Sequence, residues 1–155
     1  MTRSHRYAVT IAWTGNQGTG TSAYTAYGRD HLITAGDKPT IAGSADPLFR
    51  GDAARWNPEE LMLASLAACH QLWYLHLCAD AGIVVTAYRD DPVGEVEEAE
   101  DGSGRFRRVV LHPQITLAPG MDAAKALALH AEAHAKCHIA NSVNFPVEYE
   151  PKIGF

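Results

Sequence analysis

Asn57-Pro-Glu-Glu-Leu-Met-Leu-Ala-Ser-Leu-Ala-Ala-Cys69-His70 is the stretch that decides the fold of this chain. Its asparagine is a good N-cap, its proline suits the first helical position, and the glutamate at the third position can close a capping box. The apolar run that follows predicts a helix that continues to Asp80 and stops at Gly82. The stretch therefore predicts a long core helix that carries Cys69 in its middle.

The remainder of the chain predicts several short strands and one further helix. Asp122 is the N-cap of this second helix, which we expect to end near Lys136. An acidic stretch over residues 95–101 leads to a turn predicted over residues 101–104. Strands are predicted over residues 7–13, 21–27, 31–34, 40–42, 83–89, 106–111, 114–117 and 144–149. The order of strands, helix, strands, helix and strand predicts an α+β fold with mostly antiparallel sheets packed on two main helices.

Composition narrows the possible functions. A chain of 155 residues with 46% hydrophobic and 20% charged residues fits one soluble domain over residues 1–155. The net charge of -5 argues against a nucleic-acid partner. The longest apolar stretch, residues 61–81, contains histidines and an aspartate, so we expect a core helix and no membrane contact. Three cysteines and no visible signal peptide predict a cytoplasmic protein with unbridged thiols.

Two cysteines with different neighbours indicate redox chemistry. Cys69 lies among alanines inside the first helix, and Cys137 lies where the second helix gives way to a strand. Such a pair suggests a thiol that attacks a peroxide and a second thiol that resolves the product as a disulfide. The competing interpretations are a buried core cysteine for Cys69 and a plain helix-end cysteine for Cys137. Cys78 falls on roughly the opposite helix face from Cys69 and is interpreted as core.

Charged residues near Cys69 would have to assist it. A cysteine in apolar surroundings needs a cation to ionise, and Arg50 and Arg55 in the preceding loop are the nearest candidates. Lys136 is expected to help keep some thiolate at its neighbour Cys137. Glu59 is ten residues from Cys69, which is roughly 15 Å along one helix, so it can serve that site only from a second subunit. Otherwise Glu59 is simple helix N-terminal charge.

The histidines offer an alternative site. His130 and His134 have the i, i+4 spacing of helical metal ligands, and Cys137 and His138 follow closely. The motif His-Glu-x-x-His is absent, because Glu132 stands one place too late. We therefore interpret these histidines as a solvated or partly buried helix face and expect no metal and no cofactor.

Several of these residues together resemble the family of osmotically inducible protein C and the organic hydroperoxide resistance proteins (OsmC/Ohr). The matching pieces are residues 57–61, then 67–69, then Cys137 followed by 140–142, and the resemblance covers nearly the whole chain. It implies an intertwined homodimer whose active sites lie at the subunit interface and reduce hydroperoxides, preferably organic ones. It also implies that Cys69 is the peroxidatic cysteine, that Cys137 is the resolving cysteine, and that Glu59 comes from the partner chain.

This chain also departs from the family pattern. His70 stands where an apolar aromatic residue is usual, which indicates a separate subgroup. The family arginine lies in the loop before the helix, and Arg50 is one place from its strict position. Small apolar peroxides would be bound by aromatic side chains, for which the candidates are Trp56, Trp73 and Tyr74.

The resulting hypothesis is a thiol peroxidase that takes a small-molecule peroxide and is reduced by a cellular dithiol. In this hypothesis Arg50 supports the Cys69 thiolate, and Glu59 holds that arginine. The alternatives are a non-catalytic dimer on the same fold that binds a small molecule, or a metal through His130, His134 and Cys137, and a structural stress protein with inert cysteines.

Overall fold

A computed structural model describes residues 1–155 as nine strands and two α-helices. The chain divides into two compact units, Met1–Leu61 and Met62–Phe155. The elements in chain order are β1 Thr10–Trp13, β2 His31–Thr34, β3 Ile41–Gly43, α1 Pro58–Asp80, β4 Val85–Asp90, β5 Val93–Glu98, β6 Gly104–Leu111, β7 Pro113–Leu117, α2 Ala123–Lys136, β8 Val147–Tyr149 and β9 Lys152–Gly154. Short 3-10 helices occupy Pro47–Phe49 and Ala140–Ser142. The predicted α+β class is confirmed.

The N-terminal unit contains a three-stranded antiparallel sheet in the order β1-β2-β3. The strand predicted over residues 21–27 is wrong, because those residues form turns and bends. The Arg29 guanidinium lies over the rings of Tyr24 and Tyr27, 4.5 and 3.9 Å from their centroids. It also donates hydrogen bonds to the carbonyl oxygens of the same two tyrosines. These contacts curl the segment on itself and prevent an extended conformation.

Helix α1 has the boundaries that its sequence predicts. The Asn57 side chain accepts a hydrogen bond from the Glu60 N–H at 2.8 Å, and the Glu60 carboxylate accepts one from the Asn57 N–H at 3.2 Å. This reciprocal pair is the predicted capping box. At the other end, Gly82 adopts φ 70, and the Ile83 N–H donates to the Cys78 carbonyl oxygen at 2.8 Å. A glycine tolerates this left-handed conformation, so the helix ends there.

By length and composition alone, α1 is the one helix of the chain that could cross a membrane. Core helices of soluble proteins share this length and apolar composition. Six of its side chains are buried within the C-terminal unit, and they repeat at helical spacing: Leu66, Ala67, His70, Tyr74, Leu77 and Cys78. This buried stripe matches the core helix that the sequence predicts.

The C-terminal unit contains two three-stranded sheets, in the orders β4-β7-β9 and β5-β6-β8. The pairs β4/β7 and β5/β6 are antiparallel, whereas β8 joins β6 and β9 joins β7 in parallel. The acidic stretch over residues 95–101 overlaps a strand that was not predicted, because Val93–Glu98 forms β5. Cross-strand pairs of Glu97 with Arg105 and of Glu95 with Arg108 offset the charge of that strand. Strand β9 was not predicted.

Two apolar clusters form the core of the C-terminal unit. One joins Tyr74 and Leu77 of α1 to Ile115 of β7 and to Ala126 and Ala133 of α2. The other joins Leu66 and Ala67 of α1 to Val109 and Leu111 of β6. Helix α1 therefore carries both clusters, and α2 packs along its C-terminal half.

Candidate active site

Cys69 and Cys137 are neighbours in the C-terminal unit. Cys69 lies in the middle of α1 and is partly exposed, whereas Cys137 is the C-cap of α2 and is 1% exposed. Both side chains are free thiols, and they are close enough for the Cys69 thiol to act on the ionisation of Cys137. The fold therefore brings together the two cysteines that the sequence singled out, although 67 residues separate them in the chain.

Cys137 is protected from ionisation. Burial, with a smaller contribution from the adjacent Cys69 thiol, raises its pKa to about 11. The Ala140 N–H donates a hydrogen bond to its sulfur at 3.4 Å, which opposes this shift only in part. At neutral pH Cys137 is therefore a protonated thiol.

Lys136 does not assist Cys137, so the expected thiolate support is wrong. Its ammonium group pairs with Glu132 at 2.7 Å and lies 5.5 Å from the ring centroid of Trp73. These contacts hold the charge on the surface, away from the buried sulfur.

Cys78 takes no part in the pair. It is 1% exposed and belongs to the core cluster around Tyr74 and Leu77. Burial raises its pKa. This location agrees with the helix-face prediction that set Cys78 apart from Cys69.

A pair of buried histidines lies beside the thiols. His70 Nε2 and His130 Nδ1 are 3.0 Å apart and hydrogen bonded, and the two side chains are 1% and 0% exposed. Their rings are nearly parallel, with an angle of 4° between planes and 5.3 Å between centroids. Tyr74 stacks on His130 and Tyr149 stacks on His70. The expectation of a solvated or partly buried histidine face is therefore wrong for His130.

Burial keeps both imidazoles neutral. It lowers the pKa of His70 to about 4, with a smaller repulsive contribution from His134, and the pKa of His130 to about 3, with a smaller contribution from His70. His70 Nδ1, His130 Nε2 and His134 Nδ1 are buried without hydrogen-bond partners. The histidine at position 70, where the family usually has an apolar aromatic residue, was a signal in the sequence for an unusual site. Nothing in the sequence around His70 predicted that His130 would be its partner.

The alternative metal site is not assembled. No group of three or more His, Cys, Asp or Glu side chains in the chain is arranged to hold a metal ion. His130 directs its Nδ1 at His70, and no site joins its ring to His134 and Cys137. The donor geometry thus gives no support to the metal-binding hypothesis.

The aromatic residues predicted to bind substrate have different surroundings. Trp73 is partly exposed on α1 and has the rings of His76 and His138 against its edges. It lines a shallow surface pocket with Leu72 and His76. Tyr74 is 0% exposed and donates its hydroxyl to the Ala126 carbonyl oxygen at 3.0 Å. We therefore assign Tyr74 to the core and not to a substrate pocket.

Four of the predicted site residues belong to the N-terminal unit. Arg50 is exposed, makes no ion pair and adopts φ 64 after the short 3-10 helix. Arg55 pairs with Asp30 at 3.2 Å and with Asp52 at 3.8 Å, so its charge is already neutralised. Trp56 and Glu59 are exposed. Their proposed roles at Cys69 stay predictions.

Comparisons with known proteins identify the family. The family model described as OsmC-like protein matches residues 51–152. An OsmC-like protein of unknown function from Vibrio cholerae is 27% identical, with a TM-score of 0.84, and the match covers 96% of this chain and 100% of that one. No curated protein matches the chain at a significant level.

Two further solved structures share the fold at lower identity. An organic hydroperoxide resistance protein from Legionella pneumophila is 19% identical over 98% of this chain and 100% of its own, with a TM-score of 0.68. The organic hydroperoxide resistance protein OhrB of Bacillus subtilis is 23% identical over 94% of this chain and 98% of its own, with a TM-score of 0.65. The family model covers about two thirds of the chain. The capped helix α1 and both thiols lie within the matched residues. This chain belongs to the OsmC-like protein family.

Proposed function

We propose that this protein is a thiol-dependent peroxidase that reduces organic hydroperoxides. The observation that carries the proposal is the adjacency of a partly exposed thiol, Cys69, and a buried thiol, Cys137. Structural relatives named organic hydroperoxide resistance proteins support the choice of substrate class. The proposal follows the arrangement of the two sulfurs, which suits a two-step reaction.

In the first step, the Cys69 thiolate attacks the terminal oxygen of the hydroperoxide. An S–O bond forms, the O–O bond breaks, and the alkoxide leaves and takes up a proton as the alcohol. Cys69 is oxidised to a sulfenic acid while the peroxide is reduced. Cys137 does not compete for the peroxide, because its raised pKa keeps it protonated at neutral pH.

In the second step, Cys137 attacks the sulfur of the Cys69 sulfenic acid. The S–S bond forms, the S–O bond breaks, and the hydroxyl group leaves as water with the proton that Cys137 loses. A dithiol reductant then restores both thiols by thiol–disulfide exchange. The adjacency of the two sulfurs makes this resolution an intramolecular step.

Two residues of the N-terminal unit complete the proposed site. Arg50 stabilises the Cys69 thiolate and the charge that develops on the peroxide. Glu59, supplied by the second subunit of a homodimer, orients that arginine. Arg50 suits this role better than Arg55, because its guanidinium makes no ion pair within the chain.

The direct test is mass spectrometry of the reduced protein after one equivalent of cumene hydroperoxide. We expect a mass loss of two hydrogens and a peptide map that links Cys69 to Cys137. Cys69→Ser should abolish peroxide consumption, because it removes the attacking sulfur.

Cys78→Ala is the matched control, because it removes a buried cysteine outside the pair. It should leave peroxide consumption unchanged. An unchanged rate in Cys69→Ser would end the peroxidase proposal.

A further inference from the structure

We propose that the His70–His130 pair is the positioning element that aligns the Cys69 and Cys137 thiols for disulfide formation. The inference uses the pairing of these thiols from the proposed function, but it does not depend on peroxide being the oxidant. It assigns a role to the two most deeply buried polar side chains of the helices, which the peroxidase chemistry does not use.

Three contacts define the register of the two helices. Contacts between α1 and α2 run in antiparallel order: Cys69 lies by Cys137, His70 bonds to His130, and Tyr74 bonds to the backbone of Ala126. On α1, His70 directly follows Cys69. Of the two hydrogen bonds between the helices, the imidazole bond is therefore the one nearer to the thiols.

His130 and Cys137 occupy the same face of α2. His130 and Cys137 are seven residues apart, which is about two helical turns, so both fall on the face that packs against α1. Ala126 and Ala133 complete this buried stripe. A rotation of α2 about its axis would consequently move His130 and Cys137 together.

The hydrogen bond between His70 and His130 constrains the two helices more than apolar packing does. Small alanine side chains pack without a preferred direction, so they allow α2 to rotate or slide. A hydrogen bond between two rings fixes distance and direction, and the bond from His70 to His130 joins side chains of α1 and α2 in this way. Because both imidazoles are neutral, one nitrogen can donate while the other accepts.

The histidine pair has a cost in the free energy of folding. The pair leaves two ring nitrogens buried without partners, which is unfavourable for folding. An apolar pair of similar volume would avoid that cost. The presence of two buried imidazoles at this position is better explained by alignment of the thiols than by stability.

The test measures the equilibrium between the Cys69–Cys137 disulfide and a glutathione redox buffer near neutral pH. The effective concentration of the two thiols reports their alignment without any peroxide. His130→Phe and His70→Phe keep a ring for the stacks with Tyr74 and Tyr149 but remove the hydrogen bond. We expect each to lower the effective concentration by about tenfold or more.

The ring nitrogens that form the hydrogen bond decide which conservative replacements can restore it. His130 bonds through Nδ1, whose position an asparagine amide can reproduce, and His70 bonds through Nε2, whose position a glutamine amide can reproduce. His130→Asn and His70→Gln should therefore stay near the wild-type effective concentration. Failure of both to do so while folded would overturn the proposal.

Tyr74→Phe is the matched control. It removes another hydrogen bond between α1 and α2, but one that joins α2 eleven residues before Cys137. A loss in Tyr74→Phe as large as in His130→Phe would overturn the proposal, because any bond between the helices would then suffice. If the single phenylalanine variants do not fold, the double variant His70→Phe/His130→Phe replaces them, since it removes both imidazoles of the pair and leaves neither without its partner.

The outcomes separate this proposal from the proposed function. A wild-type protein that forms the disulfide with glutathione but does not react with a hydroperoxide would overturn the peroxidase function alone. Wild-type effective concentrations in both phenylalanine variants, with peroxidase activity intact, would overturn the positioning role alone.

Discussion

Tyr74 of α1 lies face to face with His130 of α2, with ring centroids 3.9 Å apart and an angle of 10° between the planes. The tyrosine ring covers one face of an imidazole that is already hydrogen bonded to His70. Water has no access to His130, which is 0% exposed. The stack thereby excludes the solvent that would stabilise a charged imidazole, and this has a measurable effect on stability.

The free energy of unfolding should fall as the pH is lowered from about neutral. The ordinary pKa of 6.5 is lowered to about 4 for His70 and to about 3 for His130 in the folded state. Below pH 6.5 the two histidines bind protons in the unfolded chain but not in the folded chain. The free energy of unfolding therefore decreases until the pH falls below the pKa values of the folded state. The loss should be on the order of 3 kcal/mol for His70 and 5 kcal/mol for His130 when complete.

Urea unfolding between pH 4 and pH 7 tests this prediction. The groups that face the pair are His134 on α2, Tyr74 on α1 and Tyr149 on β8, and no carboxylate is bonded to either imidazole. The double variant His70→Phe/His130→Phe should therefore lose stability less steeply with acid than the wild type. Equal slopes for the two proteins would contradict the prediction.

Replacement of Cys137 by serine should permit one turnover and then stop the reaction. Without the second thiol, Cys69 stays as a sulfenic acid or is oxidised further by excess peroxide. Trapping with dimedone, followed by mass spectrometry, measures these products. A Cys69–Cys78 disulfide in this variant would contradict the separation of those two cysteines on α1.

Disulfide formation should accelerate with pH over the range 7–9. The pKa of Cys137 is raised to about 11, so its thiolate fraction grows about tenfold per pH unit in this range. The measurement forms the Cys69 sulfenic acid first and then follows disulfide formation after a pH jump. A rate that does not change with pH would show that ionisation of Cys137 does not limit this step.

Arg50→Ala should lower the second-order rate constant for peroxide by about tenfold or more, because it removes the proposed cationic support of the thiolate. Arg50→Lys should retain part of the activity. Arg55→Ala is the control, because it breaks the ion pairs with Asp30 and Asp52. It should lower the melting temperature, and it should reduce the rate constant of the folded protein less than Arg50→Ala does. The opposite ranking would transfer the role to Arg55.

A mixed dimer should recover activity that neither parent has. If Glu59 serves the Cys69 of its partner, a heterodimer of Cys69→Ser and Glu59→Ala chains contains one site with both defects and one site with none. Activity after proven subunit exchange should exceed that of either parent homodimer. A monomer in sedimentation, or a mixture no more active than the average of its parents, would refute the shared site.

Local signals in the sequence were sufficient for the helices. The capping box at Asn57 and the glycine stop at Gly82 act within one helical turn, so the bounds of α1 followed from its own residues. The segment 21–27 has strand-forming residues, but the neighbouring Arg29 folds it into turns. Strand β9 consists of three residues that become extended only because β7 offers them a pairing edge.

The site was predictable in its cysteines but not in its histidines. The positions of Cys69 and Cys137 carried a family pattern that placed them together. The bond from His70 to His130 spans 60 positions, and nothing at either position specifies the other. Tyr74 was misassigned for a related reason: a tyrosine on a helix gives the same local pattern whether its hydroxyl meets a substrate or the Ala126 carbonyl oxygen.

The parallel pairing of β8 with β6 and of β9 with β7 has a consequence for the growing chain. Both C-terminal sheets receive their third strand from residues 147–154, so one sheet is incomplete until Tyr149 and the other until Gly154 has left the ribosome. Tyr149, which covers His70 in the finished fold, emerges after both helices and both thiols. Cys137, almost inaccessible once folding ends, is consequently most open to unwanted oxidation while the protein is still being synthesised.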